Sequence, residues 1–304
     1  ADEHGFYVLY PEQTEDNNPM GCFNWGGDYG DFTTLTRGND ENQSVVEMVD
    51  RMLSDHSIDA SRVFVTGQSA GAAMAQVMLA TWPDRFAGGA TIAGVPFMCP
   101  DSYTDVFTCT NPGMDRSPDE WAERGRRGHQ GFGGPYPRLS IWHGTSDFVV
   151  GLQNMTETLE QWTSLHGIDA QPDESDEVDG YPHREFHGSA GTALVEVYEI
   201  TGAGHATFVE PSTGCGQVAA YFDDAGICSA RHIARFWGIL EGGGGVDGDG
   251  DIDGDVDGDG DVDTPGDDEP CECGCSFTPR GASAPLAPIF PLLIAAWAIS
   301  FRRL

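Results

Sequence analysis

Residues 62–74 read Arg62-Val63-Phe64-Val65-Thr66-Gly67-Gln68-Ser69-Ala70-Gly71-Ala72-Ala73-Met74. A run of β-branched and aromatic residues gives way to Gly-x-Ser-x-Gly and then to small, helix-favouring residues, which predicts a buried strand, a sharp turn and a helix. Gly67 and Gly71 carry no Cβ where strand and helix come closest, and this lets Ser69 take a strained backbone with its hydroxyl lifted out of the turn. The helix opening at Ala70 aims free backbone N–H groups at the site where an oxyanion would form. Ser69 is thus a candidate nucleophile and the Ala70 N–H a candidate oxyanion donor. A bare Gly-x-Ser-x-Gly is also found in ordinary Gly-rich turns. The flanking strand and helix are what distinguish a nucleophile elbow.

Upstream, Val45, Val46, Met48, Val49, Met52 and Leu53 recur at helical spacing up to about His56, and Phe6 to Tyr10 reads as a strand stopped by Pro11. Residues 11–42 between them are polar and Gly-rich, a long surface loop whose Trp25 either lines an entrance to Ser69 or pins the loop down. Downstream, the helix after Ser69 runs to Trp82-Pro83, and Phe86 to Gly94 is the next strand. Residues 95–137 break the rhythm with Cys99, Cys109 and the basic run Arg124, Arg126 and Arg127, either as a cap over the substrate pocket or as a disordered crossover with a solvated basic face. A strand at Leu139–Gly144, a helix at Leu152–His166, an acidic loop, strands at Arg184–His187 and Ala193–Ile200, and a helix at Ala230–Leu240 follow. The alternation predicts an α/β fold, a mostly parallel sheet with helices on both faces. No strand precedes Phe6, so the chain reads as starting part-way through such a domain, with N-terminal strands missing.

A serine hydroxyl needs a base to take its proton and a carboxylate to orient that base. Asp147, in Thr145-Ser146-Asp147 after one strand, and His205, in Gly202-Ala203-Gly204-His205 after another, follow the elbow in the order Ser, acid, His. His143, inside its strand end, reads as structural, and His187 lacks a Gly-rich turn to free its ring. Gln68, beside the nucleophile, is placed with Trp25 in the substrate cleft.

The formal charge of −34, with only 15 Lys and Arg, excludes general affinity for nucleic acid, because phosphate binding needs basic side chains to displace counterions. Eight cysteines point to an oxidising compartment. Cys99 with Cys109, and Cys215 with Cys228, are spaced to staple one loop each. Cys22 is left as a free buried thiol or as the partner of a cysteine before residue 1.

Beyond Glu241 the composition changes. A Gly/Asp spacer occupies residues 242–270, and within Val246–Asp263 the pattern Asp249-x-Asp251-x-Asp253-Gly254 has the spacing of half a calcium loop, with Gly260 where a bidentate Glu belongs. A self-repelling spacer and weak calcium binding are both open readings. Residues 271–304 hold Cys271-Glu272-Cys273-Gly274-Cys275, an apolar stretch from Ala284 to Phe301 barely long enough to cross a bilayer, and Arg302-Arg303.

The passages Gly5-Phe6 to Pro11-Glu12, Cys22-Phe23-Asn24-Trp25, Arg62 to Gly71, Phe86 to Gly94, Ile141-Trp142-His143-Gly144 with Asp147, Gly202 to His205, and Gly226-Ile227-Cys228 to Trp237-Gly238 resemble the polyhydroxybutyrate depolymerase family of esterases, which includes feruloyl and acetylxylan esterases. The resemblance spans nearly all of residues 1–240. It implies an α/β-hydrolase fold, with Ser69 as nucleophile, Asp147 as orienting acid and His205 as base, acting on carboxylic esters without a cofactor or catalytic metal. Members of the family carry an upstream strand ending in His-Gly-Cys that completes the oxyanion hole. That motif is not in this sequence, which implies impaired activity, since losing one such donor costs on the order of 100- to 1,000-fold in rate. The missing cysteine would also pair Cys22. Residues 271–304 resemble the C-terminal sorting tails of exported proteins of myxobacteria, which implies an extracellular or surface-held enzyme tied to the cell envelope. A non-catalytic surface or calcium-binding module that keeps the fold is the alternative of a different class.

Overall fold

The computed structural model describes residues 1, 4–14, 16–18, 21–27 and 30–240, together with the backbone of 274–275, 292–293 and 298–303. In chain order the elements are β1 (Phe6–Leu9), α1 (Asp40–Asp55), β2 (Ile58–Gln68), α2 (Ala70–Thr81), β3 (Gly88–Ile92), α3 (Val106–Thr110), α4 (Pro118–Gly128), β4 (Arg138–Gly144), α5 (Gln153–His166), β5 (Glu174–Val178), β6 (Tyr181–His187), β7 (Ala193–Ile200), β8 (Thr207–Val209), β9 (Phe222–Asp224) and α6 (Ser229–Phe236). Two-residue pieces β10 (Gly274–Cys275) and β11 (Leu292–Leu293) pair with each other, and β12 (Ala298–Arg303) lies antiparallel between β1 and β2.

The main sheet runs β1-β12-β2-β3-β4-β7-β6-β5. Its centre, β2-β3-β4-β7, is parallel, and β6 and β5 extend it as an antiparallel edge. Central strands read as near-continuous apolar runs because both faces are covered. On β2, Val63 and Val65 pack with Val45, Val46 and Val49 of α1, Met74, Val77 and Met78 of α2, and Leu159 and Trp162 of α5. Phe64 points the other way, into a cluster with Trp142, Tyr198, Ile233, Phe236 and Trp237. Alternation along one strand thus feeds two cores, and α6 closes the second.

Three readings of the sequence change. The segment between β3 and β4 is ordered rather than a disordered crossover: α4 packs against α2 and α5, and the stretch before it meets the loop after Asp147, Gly151 N–H donating to the Thr110 carbonyl and Asn111 Nδ2–H to the Phe148 carbonyl, both at 2.7 Å. The start of α4 is written in Ser117-Pro118-Asp119-Glu120. The Ser117 hydroxyl and the Glu120 side chain satisfy each other's backbone N–H groups, and Pro118 sits in the first turn. Arg124 is not solvated, because it donates to the Met98 carbonyl at 2.6 Å and pairs with Asp101, which also holds Arg116 at 2.7 Å. The acidic loop after α5 is strand β5, recruited by its register with β6 despite its exposed, charged sequence.

Cys99–Cys109 and Cys215–Cys228 are disulfides, and Cys22 is disulfide-bonded too, so it is no free thiol. The spacer 242–270 and its calcium-like pattern lie outside the described residues. So does most of the apolar tail, and no helix among the described residues is long and apolar enough to cross a membrane.

Candidate active site

The parallel strands β2, β4 and β7 end level with one another, Gln68 opposite Ile92, Ile92 opposite Trp142, and Gly144 opposite Ile200. Ser69, Asp147 and His205 each follow one of these ends, so all three emerge on the same rim of the sheet.

Ser69 sits at φ 56°, ψ −124°, a conformation that a residue with a side chain adopts only under constraint. The constraint is visible on both sides. Its N–H donates to the Ile92 carbonyl at 2.9 Å, and the turn is so tight that a Cβ on Gly67 would lie 2.3 Å from the Gly71 backbone. Ala70 is the first residue of α2, so its N–H has no partner within the helix.

Asp147 is buried. Its Oδ1 accepts the N–H groups of Val149 and Val150 at 2.8 and 2.9 Å, and its Oδ2 accepts His205 Nδ1–H at 2.7 Å. That bond places the imidazole proton on Nδ1 and leaves Nε2 with its lone pair. His205 Nε2 is buried and has no hydrogen-bond partner among the described residues. The arrangement can take a proton at Nε2 while the carboxylate stabilises the imidazolium formed.

The loops bearing Asp147 and His205 are tied to each other. Ser146 N–H donates to the Ala203 carbonyl at 2.9 Å, and Gly202 N–H donates to Thr145 Oγ1 at 2.8 Å. Gly144 makes this possible, because a Cβ there would stand 2.4 Å from the Ala203 oxygen and 2.5 Å from that of Gly204. His143 is buried one residue earlier, its Nε2–H donating to the Val150 carbonyl at 2.9 Å with Asp147 Oδ2 at 3.5 Å. Burial pushes its pKa down, so the ring stays neutral and braces the Asp147 turn.

Gln68 is held from within the fold. Its side chain is buried and its Oε1 accepts the Thr207 hydroxyl at 2.8 Å, joining the elbow to the strand just after His205. Sequence reasoning placed it by adjacency to Ser69 alone, and the partner is 139 residues away. Trp25 is half-buried against the cluster that includes Ala73 of α2 and Val150 of the Asp147 turn. A surface cavity of about 290 Å³, lined by residues including Phe32, Met98, Pro100, Asp101 and Arg124, includes none of Ser69, Asp147 and His205.

The profile of the family described as Esterase PHB depolymerase matches residues 1–173. Over 240 residues the chain is 52% identical to poly(3-hydroxyalkanoate) depolymerase C of Paucimonas lemoignei, covering 78% of this chain and 57% of that protein. It is 37% identical over 230 residues to an acetylxylan esterase of Coprinopsis cinerea, covering 73% of this chain and 58% of that protein. The chain therefore spans little more than half the length of these curated relatives. Among solved structures, an acetyl xylan esterase from Aspergillus awamori superposes with a TM-score of 0.59 at 28% identity, covering 72% of this chain and 74% of that one. The architecture is that of the α/β-hydrolase esterases.

Proposed function

The chain belongs to the PHB depolymerase family of esterases, and from that membership we propose that it is a serine carboxylic ester hydrolase working through Ser69, His205 and Asp147. In this reading His205 Nε2 takes the Ser69 proton as the hydroxyl oxygen attacks the ester carbonyl, and the Ala70 N–H stabilises the tetrahedral oxyanion. The alcohol leaves with the proton from His205. Water, activated by the same ring, then releases the acid from the acyl-serine. Asp147 keeps the ring in the working tautomer throughout. The observation that carries the reading is the 2.7 Å bond from His205 to a buried, fully engaged carboxylate, on the rim where Ser69 holds its strained turn.

The substrate we propose is a polyester of hydroxyalkanoic acids, the class named in the 52% identical relative. Phe148, next to Asp147 on the rim, is 85% exposed, an apolar contact suited to a solid, water-poor substrate. Acetyl esters of plant polysaccharide are the second reading, favoured by the structural match to an acetyl xylan esterase. The disulfides Cys99–Cys109 and Cys215–Cys228 suit an enzyme exported from the cell, and we propose that the tail ahead of β12 ties it to the envelope, Ala298–Arg303 itself being held in the main sheet between β1 and β2.

Hydrolysis of a short p-nitrophenyl ester tests the chemistry. Ser69→Ala should lower kcat by about 10,000-fold or more, and a phosphonate ester should label Ser69 and no other residue in peptide mass spectra. Equal rates for the two proteins would leave a fold kept without its chemistry. Phe148→Ser should slow release of soluble acid from polyester granules while sparing the soluble ester. Equal loss on both would show that Phe148 serves folding rather than the polymer.

A further inference from the structure

We infer that the antiparallel edge of the sheet binds a divalent transition-metal ion of the zinc class, held by His183 Nε2 and the carboxylates of Glu185 and Glu196. Strands β5, β6 and β7 pair so that Glu174, Glu185 and Glu196 stand abreast, and Asp176, His183 and Tyr198 form the neighbouring row. With side chains alternating along each strand, both rows lie on one face. Three carboxylates abreast on adjacent strands repel one another unless positive charge lies among them.

His183 supplies the observation that points to an ion. It is 7% exposed, and its Nδ1 is held by the Asp176 carboxylate at 2.8 Å. That bond puts a proton on Nδ1 and turns Nε2 inward. Nε2 is buried with no hydrogen-bond partner among the described residues. It faces Glu196 Oε2 at 3.4 Å and Glu185 Oε1 at 4.0 Å. All three donor atoms lie within 4.8 Å of one another. Ligands bound at roughly 2.1 Å around a tetrahedral ion stand roughly 3.4 Å apart, so the spacing needs little adjustment.

Each donor is also held from behind. Asp176 anchors His183, and the Ser140 hydroxyl, itself taking the Trp142 indole N–H at 2.8 Å, donates to the second oxygen of Glu196 at 2.6 Å. His187 Nε2 lies 2.8 Å from the second oxygen of Glu185. A carboxylate behind a ligating imidazole is the usual support of a bound metal. Imidazole with carboxylates favours zinc, cobalt or nickel over calcium or magnesium. Such an ion would pin the β5–β6 hairpin to β7, the strand that leads to His205.

The test uses the full chain dialysed against chelator. Titration with zinc chloride in a calorimeter should show uptake that falls 10- to 100-fold in affinity in Glu185→Gln and in His183→Gln, and binding should raise the melting temperature of the parent chain. Cobalt chloride added to the unmutated chain should give visible d–d bands without a thiolate charge-transfer band, a readout independent of whether a variant folds. A thiolate band, affinity unchanged in both variants, or no uptake would overturn the assignment; in the last case a proton between His183 and Glu196 serves instead. Hydrolysis by the chelated parent chain keeps this outcome separate from that of the proposed esterase chemistry.

Discussion

Gly144 shows how a residue with no side chain can govern a site. It sits where β4 ends, against the carbonyls of Ala203 and Gly204, and the bonds from Ser146 and Thr145 to the His205 loop depend on that approach. Gly144→Ala should push the two loops apart. Because displacement of about 1 Å costs on the order of 100-fold, we expect kcat on a soluble ester to fall by about that factor with KM little changed. Rates within twofold of the parent would show that the loops yield without moving His205. Glu41 carries a second consequence at this scale. It accepts Asn24 N–H and Gln13 Nε2–H, both at 2.5 Å, and Asn17 Nδ2–H at 2.8 Å, yet burial outweighs these bonds and raises its pKa to about 7.

At the scale of elements, α4 stands on its cap. The reciprocal Ser117 and Glu120 bonds close its first turn, and Trp121 behind them is fully buried, its indole N–H donating to Glu157. Ser117→Ala should cost about 1 kcal/mol in urea unfolding, the usual value of a lost N-cap. The ester hydrolysis rate should be unchanged, since α4 is a crossover helix on the face of α2 and α5. A rate loss equal to that of a rim variant would mean that α4 positions the site after all.

For the molecule as a whole, the buried groups Glu41 and His166 contribute opposing slopes of stability against pH. Glu41 binds its proton more tightly folded than unfolded, so between its ordinary value near 4.5 and about 7 it makes stability fall as pH rises. His166, buried with its Nε2–H on the Pro137 carbonyl at 3.2 Å, has its pKa pushed down by burial to about 4. The unfolded chain then binds the extra proton between about 4 and 6.5, and stability falls as pH drops through that window. The two contributions offset between about 4.5 and 6.5, and of the two only Glu41 acts from there to about 7. Relative to the parent, Glu41→Gln should gain stability on going from pH 5 to pH 8, by at most about 3 kcal/mol. Parallel stability curves for the two proteins would show that Glu41 ionises freely.

The strand, elbow and helix around Ser69, the alternation of strands and helices that makes a mostly parallel sheet, and the order of Ser69, Asp147 and His205 were legible because each is a local pattern: an apolar run, a pair of glycines, a turn after a strand. Strand β5 was not, since an exposed run of Glu and Asp becomes a strand only when β6 offers it a free edge. Gln68 needed Thr207, Arg124 needed Asp101, and the row Glu174, Glu185 and Glu196 exists only because two registers bring it together. Backbone propensity acts over a few residues and is written along the chain. Hydrogen-bond partners far apart in sequence, and the burial that shifts a pKa, come into being only when the sheet closes.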